Sequence, residues 1–442
     1  MKKLGFYILL FFISNSILAQ DFCNDRFLCQ CTDIKSSKDV DYREAVNFSG
    51  VSQKLKLDIY TSDDAFTPKK RPLIVFIHGG AFVAGNKTDF ATGCETFAKL
   101  GYTAATVQYR LGYNGSSNGC NSANWPEMKK AFYRAVQDAG SAINYLVDNA
   151  DKYNIDTNNI ILFGYSAGAV TVLHTAYCNQ QEMNNYDSTL VKTLGPLPTL
   201  KGKLKGVVSL AGFLGSTDFL SGADKNIPLL MYHGTCDFIV GYDAANCLPL
   251  CATAFPVVYG SLPLSNKAKE IGMPYQFITY CGQGHDLLPT LALPITCSGI
   301  DFIQKNILCG QPITNSLLSY IPTGMDASCT TCVKPPVASV PIGQSICGLP
   351  CTAASNYCKV QNGINDIENN LVEVYPNPVD NTLNLKYAND LVIKNAYLVN
   401  TLGQLNIVTI NQNTINTNSL NKGLYWLKLE TNKGEIILKF IK

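Results

Sequence analysis

One serine in this sequence lies where a nucleophile could work. Ser166 is the central residue of GYSAG, residues 164–168, a G-x-S-x-G pattern that follows the apolar run 160–163. Small and apolar residues with helical spacing come next, which predicts a strand, a sharp turn and a helix with the serine hydroxyl exposed at the turn. A second match at 115–119 lies in a polar run without a preceding strand, so we interpret it as a loop.

A serine is a weak nucleophile until a base removes its proton, and the base is usually histidine because the histidine pKa lies near neutral pH. Of the four histidines, His285 lies in a glycine-rich loop, CGQGHD, after the last clear predicted strand, and such a loop could reach Ser166. His78 opens another loop and is interpreted as structural. His174 on the helix and His233 at a strand end remain alternatives for the base.

The base needs a carboxylate that fixes its tautomer and stabilises the imidazolium. In the chain order serine, acid, histidine, this carboxylate lies between Ser166 and His285. Asp237 follows the predicted strand 228–233 and is the favoured residue, and Asp218, after the preceding strand, is the alternative.

Backbone N–H groups are expected to stabilise the negative oxygen of a tetrahedral intermediate. Ala167 begins the predicted helix, where N–H groups have no helical acceptor. Gly79 and Gly80 follow a buried strand in the sequence HGGAF, and glycine lets backbone amides approach a ligand closely. The three N–H groups together predict an oxyanion hole.

Three aromatic residues near these motifs are candidates for contact with substrate: Phe82, Trp125 and Tyr165. The alternative is that Phe82 and Trp125 pack into the core. The segments 112–126 and 179–203 are candidate substrate walls or a lid.

The elements that must position these residues alternate between strand and helix. Continuous apolar runs such as 73–77 (LIVFI) are typical of buried parallel strands, and 127–153 has apolar residues at spacings of three and four, which predicts a helix. This alternation predicts an α/β fold with a mostly parallel central sheet. Ligands of such sheets lie at the carboxyl ends of strands, and each candidate residue follows a predicted strand.

The length of 442 residues predicts more than one domain. The net charge of +2, from 35 basic and 33 acidic residues, gives no reason to expect nucleic acid or an anionic membrane as a partner. Residues 1–19 are interpreted as a secretory signal peptide, and no other stretch predicts a transmembrane helix. We expect an α/β domain over 20–309, a Pro- and Cys-rich linker or small disulfide-stapled segment over 310–370, and a small β domain over 371–442.

The 17 cysteines, together with a signal peptide, predict an oxidising compartment and several disulfides. No cysteine set has the spacing of a zinc site. Cys236 precedes the candidate acid and Cys281 lies four residues before the candidate base, so we hypothesise a Cys236–Cys281 disulfide. Cys94–Cys120 and Cys247–Cys251 are weaker hypotheses.

The motifs HGGAF (78–82) and GYSAG, followed by Asp237 and His285 in that order, resemble the α/β-hydrolase serine esterases of the carboxylesterase and hormone-sensitive-lipase-like kind, over about 50–308. Bacterial feruloyl and acetyl-xylan esterases are the most similar. The resemblance implies a catalytic triad of Ser166, Asp237 and His285, and an oxyanion hole from Gly79, Gly80 and Ala167. It also implies no cofactor and no metal. HGGAF departs from the HGGG of related enzymes.

The tail contains VYPNPVDNTLNL, VNTLGQ and LNKGLYWLKLETNKGEIILKFIK, which resemble the C-terminal sorting domain of the type IX secretion system over 371–442. The resemblance implies export across an outer membrane by that machinery, so that the protein is secreted or held at the cell surface.

These features predict a secreted serine hydrolase that cleaves carboxylic esters, with acyl groups on plant polysaccharide as a candidate substrate. A peptidase or amidase of the same fold is one alternative, and a non-catalytic surface binding module is another.

Overall fold

The computed structural model describes residues 34–62, 70–115, 124–222, 226–246, 255–322, 332, 336, 339–341, 372–388, 390–400, 405–432 and 434–442. Its contacts divide the chain into two units, Met1–Cys351 and Thr352–Lys442, and each is described by itself. The signal peptide predicted at 1–19 lies outside the described residues.

The first unit alternates strands and helices. Its strands are β1 Ile34–Val46, β2 Ser52–Ser62, β3 Arg71–Ile77, β4 Thr103–Val107, β5 Ile155–Tyr165, β6 Leu204–Leu210, β7 Leu229–Gly234, β8 Ala244–Asn246, β9 Val257–Tyr259, β10 Tyr275–Tyr280, β11 Ser316–Ile321 and β12 Ser339–Pro341. Its α-helices are α1 Ala91–Lys99, α2 Trp125–Asp148, α3 Ala167–Tyr177, α4 Gln180–Leu194, α5 Ser261–Glu270 and α6 Leu288–Asp301. Shorter helical turns are Lys87–Phe90, Thr217–Ser221 and Phe302–Leu308.

Ten of these strands form one sheet in the order β1-β2-β4-β3-β5-β6-β7-β10-β11-β12. The pairs β1-β2 and β2-β4 are antiparallel, and every pair from β4-β3 to β11-β12 is parallel. The predicted fold class is confirmed: the first unit has the α/β-hydrolase fold with a mostly parallel central sheet.

Helices cover both faces of the sheet, so central strands are buried on both sides. On β3, Leu73, Val75 and Ile77 enter one hydrophobic core. Ile74 and Phe76 enter the core on the opposite face. This two-sided burial is the reason why the central strands have continuous apolar runs rather than alternating ones.

The outer strands differ from the sequence-based expectation. β1 has no clear strand signal in the sequence, because it is an edge strand whose residues are mostly exposed and carry little hydrophobic pattern. β11 and β12 fall within 310–370, the segment expected to be a linker, and extend the sheet beyond β10. Part of that Pro- and Cys-rich segment therefore belongs to the first unit.

The second unit consists of short antiparallel strands. They are β13 Val372–Tyr375, β14 Thr382–Tyr387, β15 Ile393–Asn400, β16 Leu405–Ile407, β17 Thr414–Asn416, β18 Leu424–Thr431 and β19 Gly434–Ile441. They form two sheets, β13-β14-β17 and β16-β15-β18-β19. Leu383 and Leu385 from one sheet share a core with Leu427 and Phe440 from the other, which is the packing of the small β domain predicted from the sequence.

Removal of the Phe76 ring tests the core beneath the sheet. Its centroid lies 5.2 Å from that of Phe90 and 5.1 Å from that of Phe163, so Phe76→Ala is expected to lower the free energy of unfolding by about 3–5 kcal/mol. Urea unfolding in a Trp426→Phe background leaves Trp125 as the fluorescence reporter of the first unit. Val46→Ala, at an exposed position, is the control. Equal losses in the two variants would contradict this account of the core.

Candidate active site

The turn between β5 and α3 holds Ser166 in an unusual backbone conformation. Its φ of 55° and ψ of −121° lie in a region that non-glycine residues seldom occupy. The flanking glycines allow it: a Cβ at Gly168 would lie 1.9 Å from the Ile77 carbonyl oxygen, and one at Gly164 would lie 2.2 Å from the Gly168 carbonyl oxygen. The Ser166 N–H donates to the Leu210 carbonyl at 2.8 Å. Strand neighbours on both sides thus fix the turn.

The structure brings Ser166, His285 and Asp237 into one hydrogen-bonded line at the carboxyl edge of the sheet. Ser166 Oγ lies 2.8 Å from His285 Nε2, and His285 Nδ1 lies 2.7 Å from Asp237 Oδ2. Because a carboxylate only accepts, His285 Nδ1 carries the proton and Nε2 accepts from the serine hydroxyl. This is the arrangement that a general base requires.

Asp237 is a buried carboxylate with four donors around it. Oδ1 accepts from the backbone N–H groups of Ile239 and Val240, at 2.9 and 2.8 Å, while Oδ2 faces His285 and His233. Burial alone would raise the pKa of Asp237, but hydrogen bonds with His233 and His285 outweigh burial and hold the pKa well below its usual range. Asp237 is therefore ionised at neutral pH, as the partner of a histidine base must be.

The loop that carries His285 is attached to the loop that carries Asp237. The Cys236 N–H donates to the Gln283 carbonyl at 2.8 Å, and the Gly282 N–H donates to Thr235 Oγ1 at 2.9 Å. β7 and β10 are paired neighbours, so the two loops leave the sheet side by side. The distance between base and acid is consequently set by backbone contacts.

Tyr165 connects the serine turn to the base. Its hydroxyl donates to the His285 carbonyl at 3.1 Å, and its ring stacks on the His285 imidazole with centroids 5.5 Å apart. Burial raises the pKa of Tyr165, with a further contribution from Asp286, so the hydroxyl stays a donor. These contacts hold the loop of His285 against the serine turn, whereas the sequence analysis had Tyr165 as a candidate substrate contact.

The predicted oxyanion-hole glycines lie against the serine turn. A Cβ at Gly79 would lie 3.1 Å from the Tyr165 carbonyl oxygen. The Gly79 carbonyl accepts from the Tyr109 hydroxyl at 3.2 Å and from His78 Nδ1 at 2.8 Å. Because C=O and N–H of a planar trans peptide point in opposite directions, the Gly80 N–H points away from these partners.

No acceptor for the N–H groups of Gly79 and Gly80 is found among the described residues. Ala167 is the first residue of α3, so its N–H has no acceptor within the helix. Ala81 and Phe82 have φ values of 52° and 62°, so the loop holds a left-handed backbone conformation. The N–H groups of Gly79, Gly80 and Ala167 are available to a ligand, and their catalytic use stays a prediction.

The candidate aromatic contacts have different environments. Phe82 is 1% exposed and packs in the core near Tyr109 and Phe132, which is the alternative that the sequence left open. It therefore offers no exposed ring to a substrate. Trp125 begins α2 and is half-buried, with its ring edge-on to Phe255 at 5.9 Å.

The alternative catalytic residues have other partners. His174 is buried in α3, where Nδ1 donates to the Val170 carbonyl and Nε2 accepts from the Gly215 N–H. Burial lowers the pKa of His174 to about 4. Asp218 is exposed in the turn Thr217–Ser221. His78 is buried beneath the glycine loop and stacked on Tyr109, with its pKa lowered by burial, which fits the structural role predicted for it.

Two segments, 112–126 and 179–203, were candidate substrate walls or a lid. Within 179–203, the helix α4 packs on α2 through an ion pair between Lys129 and Asp187. Most of 112–126 lies outside the described residues or at the start of α2. A cavity of about 800 Å³, lined by residues such as Cys178, Leu197 and Lys205, contains none of the candidate catalytic residues and lies near the amino-terminal ends of β6 and β7.

The hypothesised Cys236–Cys281 disulfide is wrong. Cys236 is bonded to Cys332, and Cys281 is also disulfide-bonded. β11 lies beside β10 in the sheet, and Cys332 follows β11 in the chain. Cys94 is a free buried thiol, so the Cys94–Cys120 pairing is wrong as well, and Cys247–Cys251 lies outside the described residues.

Sequence reasoning missed the roles of two residues near the site. Tyr109, which binds the carbonyls of both His78 and Gly79, has one sequence signal: it is a polar aromatic residue two positions after a buried strand. His233 was considered as a base, but its contact is with the acid. The spacing of His233 and Asp237, four residues apart at a strand end, is the signal that could have found it.

Comparison with known proteins agrees with the motifs and the sheet. Residues 57–226 match the BD-FAE family, and residues 373–442 match the Secretion system C-terminal sorting domain. The resemblance to α/β-hydrolase esterases that carry a secretion tail is confirmed. The sorting domain indicates export by type IX secretion to the cell surface or beyond, as predicted. None of the described helices is long and apolar enough to cross a membrane.

Individual relatives are similar over part of their length. Gut esterase 1 of Caenorhabditis elegans is 34% identical over 140 residues, which are 30% of this chain and 22% of that protein. Carboxylesterase 5A of Homo sapiens is 32% identical over 127 residues, 28% of this chain and 20% of that protein. The chain thus spans about a fifth of the length of these relatives. Native esterase 2 of Thermogutta terrifontis superposes with a TM-score of 0.42 and 20% identity, over 63% of this chain and 94% of that one.

Opening of the Cys236–Cys332 disulfide is expected to destabilise the first unit. The bond joins residues 96 apart in sequence, and the chain-entropy account gives about 4–5 kcal/mol for a loop of this size. The double variant Cys236→Ser, Cys332→Ser should therefore unfold at clearly lower urea concentration than the parent. Cys94→Ser, which removes a free thiol and no crosslink, is the control. An unchanged midpoint in the double variant would refute the stabilising role.

The burial of His174 has a consequence for stability against pH. With its pKa near 4 in the folded chain and 6.5 as the ordinary value, the unfolded chain binds the extra proton first as the pH falls. The free energy of unfolding therefore falls by up to about 3 kcal/mol as the pH is lowered from about 6.5 to about 4. His174→Asn keeps an N–H for Val170 and does not titrate. Urea unfolding at pH 7 and 4.5 should show a weaker pH dependence for this variant, and an equal dependence would contradict the account.

Proposed function

We propose that the chain is a secreted serine hydrolase that cleaves carboxylic esters through an acyl-enzyme. The observation that carries the proposal is the hydrogen-bonded line from Ser166 Oγ through His285 to Asp237, at 2.8 and 2.7 Å. It lies at the carboxyl edge of the sheet, where α/β folds bind ligands. The BD-FAE match and the esterases among the similar proteins support ester hydrolysis as the reaction.

The first half of the reaction forms the acyl-enzyme. His285 Nε2 takes the proton of Ser166 as its Oγ attacks the ester carbonyl carbon. The carbonyl oxygen becomes negative and accepts hydrogen bonds from the N–H groups of Gly79, Gly80 and Ala167. His285 then gives the proton to the leaving alcohol as the C–O bond breaks. Asp237 holds the tautomer and stabilises the imidazolium.

The second half releases the acid. A water molecule loses a proton to His285 Nε2 and attacks the acyl carbon. The same N–H groups stabilise the second tetrahedral intermediate. Collapse of that intermediate returns the proton to Ser166 Oγ and frees the carboxylic acid. No cofactor takes part in these steps.

The substrate class that we propose is an acyl ester carried by a polymer outside the cell, such as an acylated plant polysaccharide. The export signal supports an extracellular substrate, and the motifs resemble those of feruloyl and acetyl-xylan esterases. Partners are thus the ester substrate and, through 371–442, the type IX secretion machinery.

Ser166→Ala is the direct test. Removal of a triad serine typically lowers turnover about 10⁶-fold, so hydrolysis of p-nitrophenyl acetate should fall to background. Ser117→Ala, at the centre of the second G-x-S-x-G match, is the matched control and should retain parental activity. Full activity in Ser166→Ala would refute the proposal.

The same proteins tested on a substrate panel separate the alternatives. Acetyl, butyryl, long-chain and feruloyl esters report the acyl preference, and release of acetate or ferulate from xylan reports the polymer. A peptide p-nitroanilide cleaved faster than every ester would favour the peptidase or amidase. A folded parent protein inactive on all substrates that still binds polysaccharide would favour the binding module.

A further inference from the structure

A second histidine contacts the same carboxylate oxygen of the candidate acid as the candidate base does. His233 is the fifth residue of β7, four residues before Asp237, and its side chain is fully buried. Its Nε2 lies 3.3 Å from Asp237 Oδ2 and 2.9 Å from the Val240 carbonyl oxygen, while Nδ1 lies 2.8 Å from Ser261 Oγ. Both ring nitrogens therefore have partners.

These contacts decide the tautomer of His233. A carbonyl oxygen only accepts, so Nε2 must carry a proton to bind Val240. The same N–H is shared with Asp237 Oδ2 at the longer distance. In the Nε2–H tautomer, Nδ1 then accepts from the Ser261 hydroxyl. Buried polar atoms that are all satisfied in one orientation have no reason to rotate.

We propose that His233 is a positioning residue for Asp237: its Nε2–H, held by Val240 and Ser261, orients the carboxylate oxygen that binds His285. The proposal rests on the proposed esterase function. Asp237 Oδ2 lies between two imidazole N–H groups, with His285 Nδ1 at 2.7 Å as the nearer. The backbone donors on Oδ1 fix the other end of the carboxylate.

The surroundings of His233 contain few other titratable groups. On its own loop, Asp237 and Tyr242 face the ring, with the Tyr242 ring edge-on at 5.7 Å. α5 contributes the Ser261 hydroxyl, and Thr279 is the paired residue on β10. A change at His233 therefore acts on Asp237, and through Asp237 on His285.

Two amide variants separate the donor from the bulk of the ring. The Nε2 of glutamine reaches about as far as imidazole Nε2, so His233→Gln keeps an N–H for Val240 and Asp237. The Nδ2 of asparagine corresponds to imidazole Nδ1, so His233→Asn loses the donor to the acid. Ser166→Ala is included to show that the measured turnover belongs to the site.

With p-nitrophenyl acetate, His233→Asn is expected to lower kcat about tenfold or more, which is the typical effect of one lost hydrogen bond to a charged group. KM should stay within about twofold, because the contact does not touch substrate. The unshared negative charge on Asp237 favours the imidazolium of His285, so the acid limb of kcat/KM should move to higher pH by about half a unit. His233→Gln should keep most of the parental kcat, and the acid limb of its kcat/KM profile should lie at the parental pH.

Three results would overturn the proposal: an unmoved acid limb in His233→Asn, a limb that moves equally in both variants, or a loss explained entirely by thermal unfolding. Nitrogen NMR of ¹⁵N-histidine-labelled parent protein is the second measurement and needs no variant to be stable. It should find a protonated Nε2 on His233, and the Nδ1–H tautomer, in which Nε2 carries no proton, would also refute the proposal.

Failure of the proposed function has a different signature. If the parent protein has no turnover that depends on Ser166, ester hydrolysis is refuted. The NMR signals of His285 then still report on the contact, because the pH at which they titrate should be higher in His233→Asn than in the parent. An identical titration in both proteins refutes the positioning role without reference to activity.

Discussion

The site depends on the close approach of one helix to one strand end. The first turn of α3 lies directly against the Ile77 carbonyl, and a Cβ at Gly168 would lie 1.9 Å from that oxygen. This contact puts Ser166, with its positive φ, next to the glycine loop that follows β3, so the candidate nucleophile and the candidate oxyanion donors are positioned by the same backbone packing. The strain at Ser166 is offset by the two-sided cores beneath β3 and β5.

The other half of the site is positioned by a different set of contacts. The loops after β7 and β10 are joined by backbone hydrogen bonds, and the Tyr165 hydroxyl attaches the base loop to the serine turn. Asp237 receives donors on both carboxylate oxygens, so its charge is held in one orientation inside a buried environment. A disulfide from Cys236 to Cys332 ties the loop of Asp237 to the segment that follows β11 in the chain. Contacts of this kind hold the geometry of the candidate triad in place.

Much of this arrangement could be predicted because local chemistry leaves a local pattern. The apolar run before Ser166 and the small residues after it predicted the turn, and the order of strands and helices predicted the sheet. The prediction was wrong where the pattern is weak. β1 is an edge strand that is mostly exposed and rich in charged residues, and β11 and β12 lie in a Pro- and Cys-rich segment that resembles a linker. Cys236 had a plausible partner in Cys281 by proximity to the site, but strand order placed Cys332 there instead.

The sequence by itself determined the reaction type that is worth proposing, because few residues have the chemistry of a nucleophile, base and acid and they occur at strand ends in the required order. The tail motifs in the sequence also determined that the protein is exported by type IX secretion. Only the tertiary structure decided which groups support these residues. The contacts of His233 with Ser261, of Tyr109 with Gly79 and of Tyr165 with His285 join segments that are distant in sequence, and hydrogen-bond geometry between distant segments leaves no periodic signal in the chain.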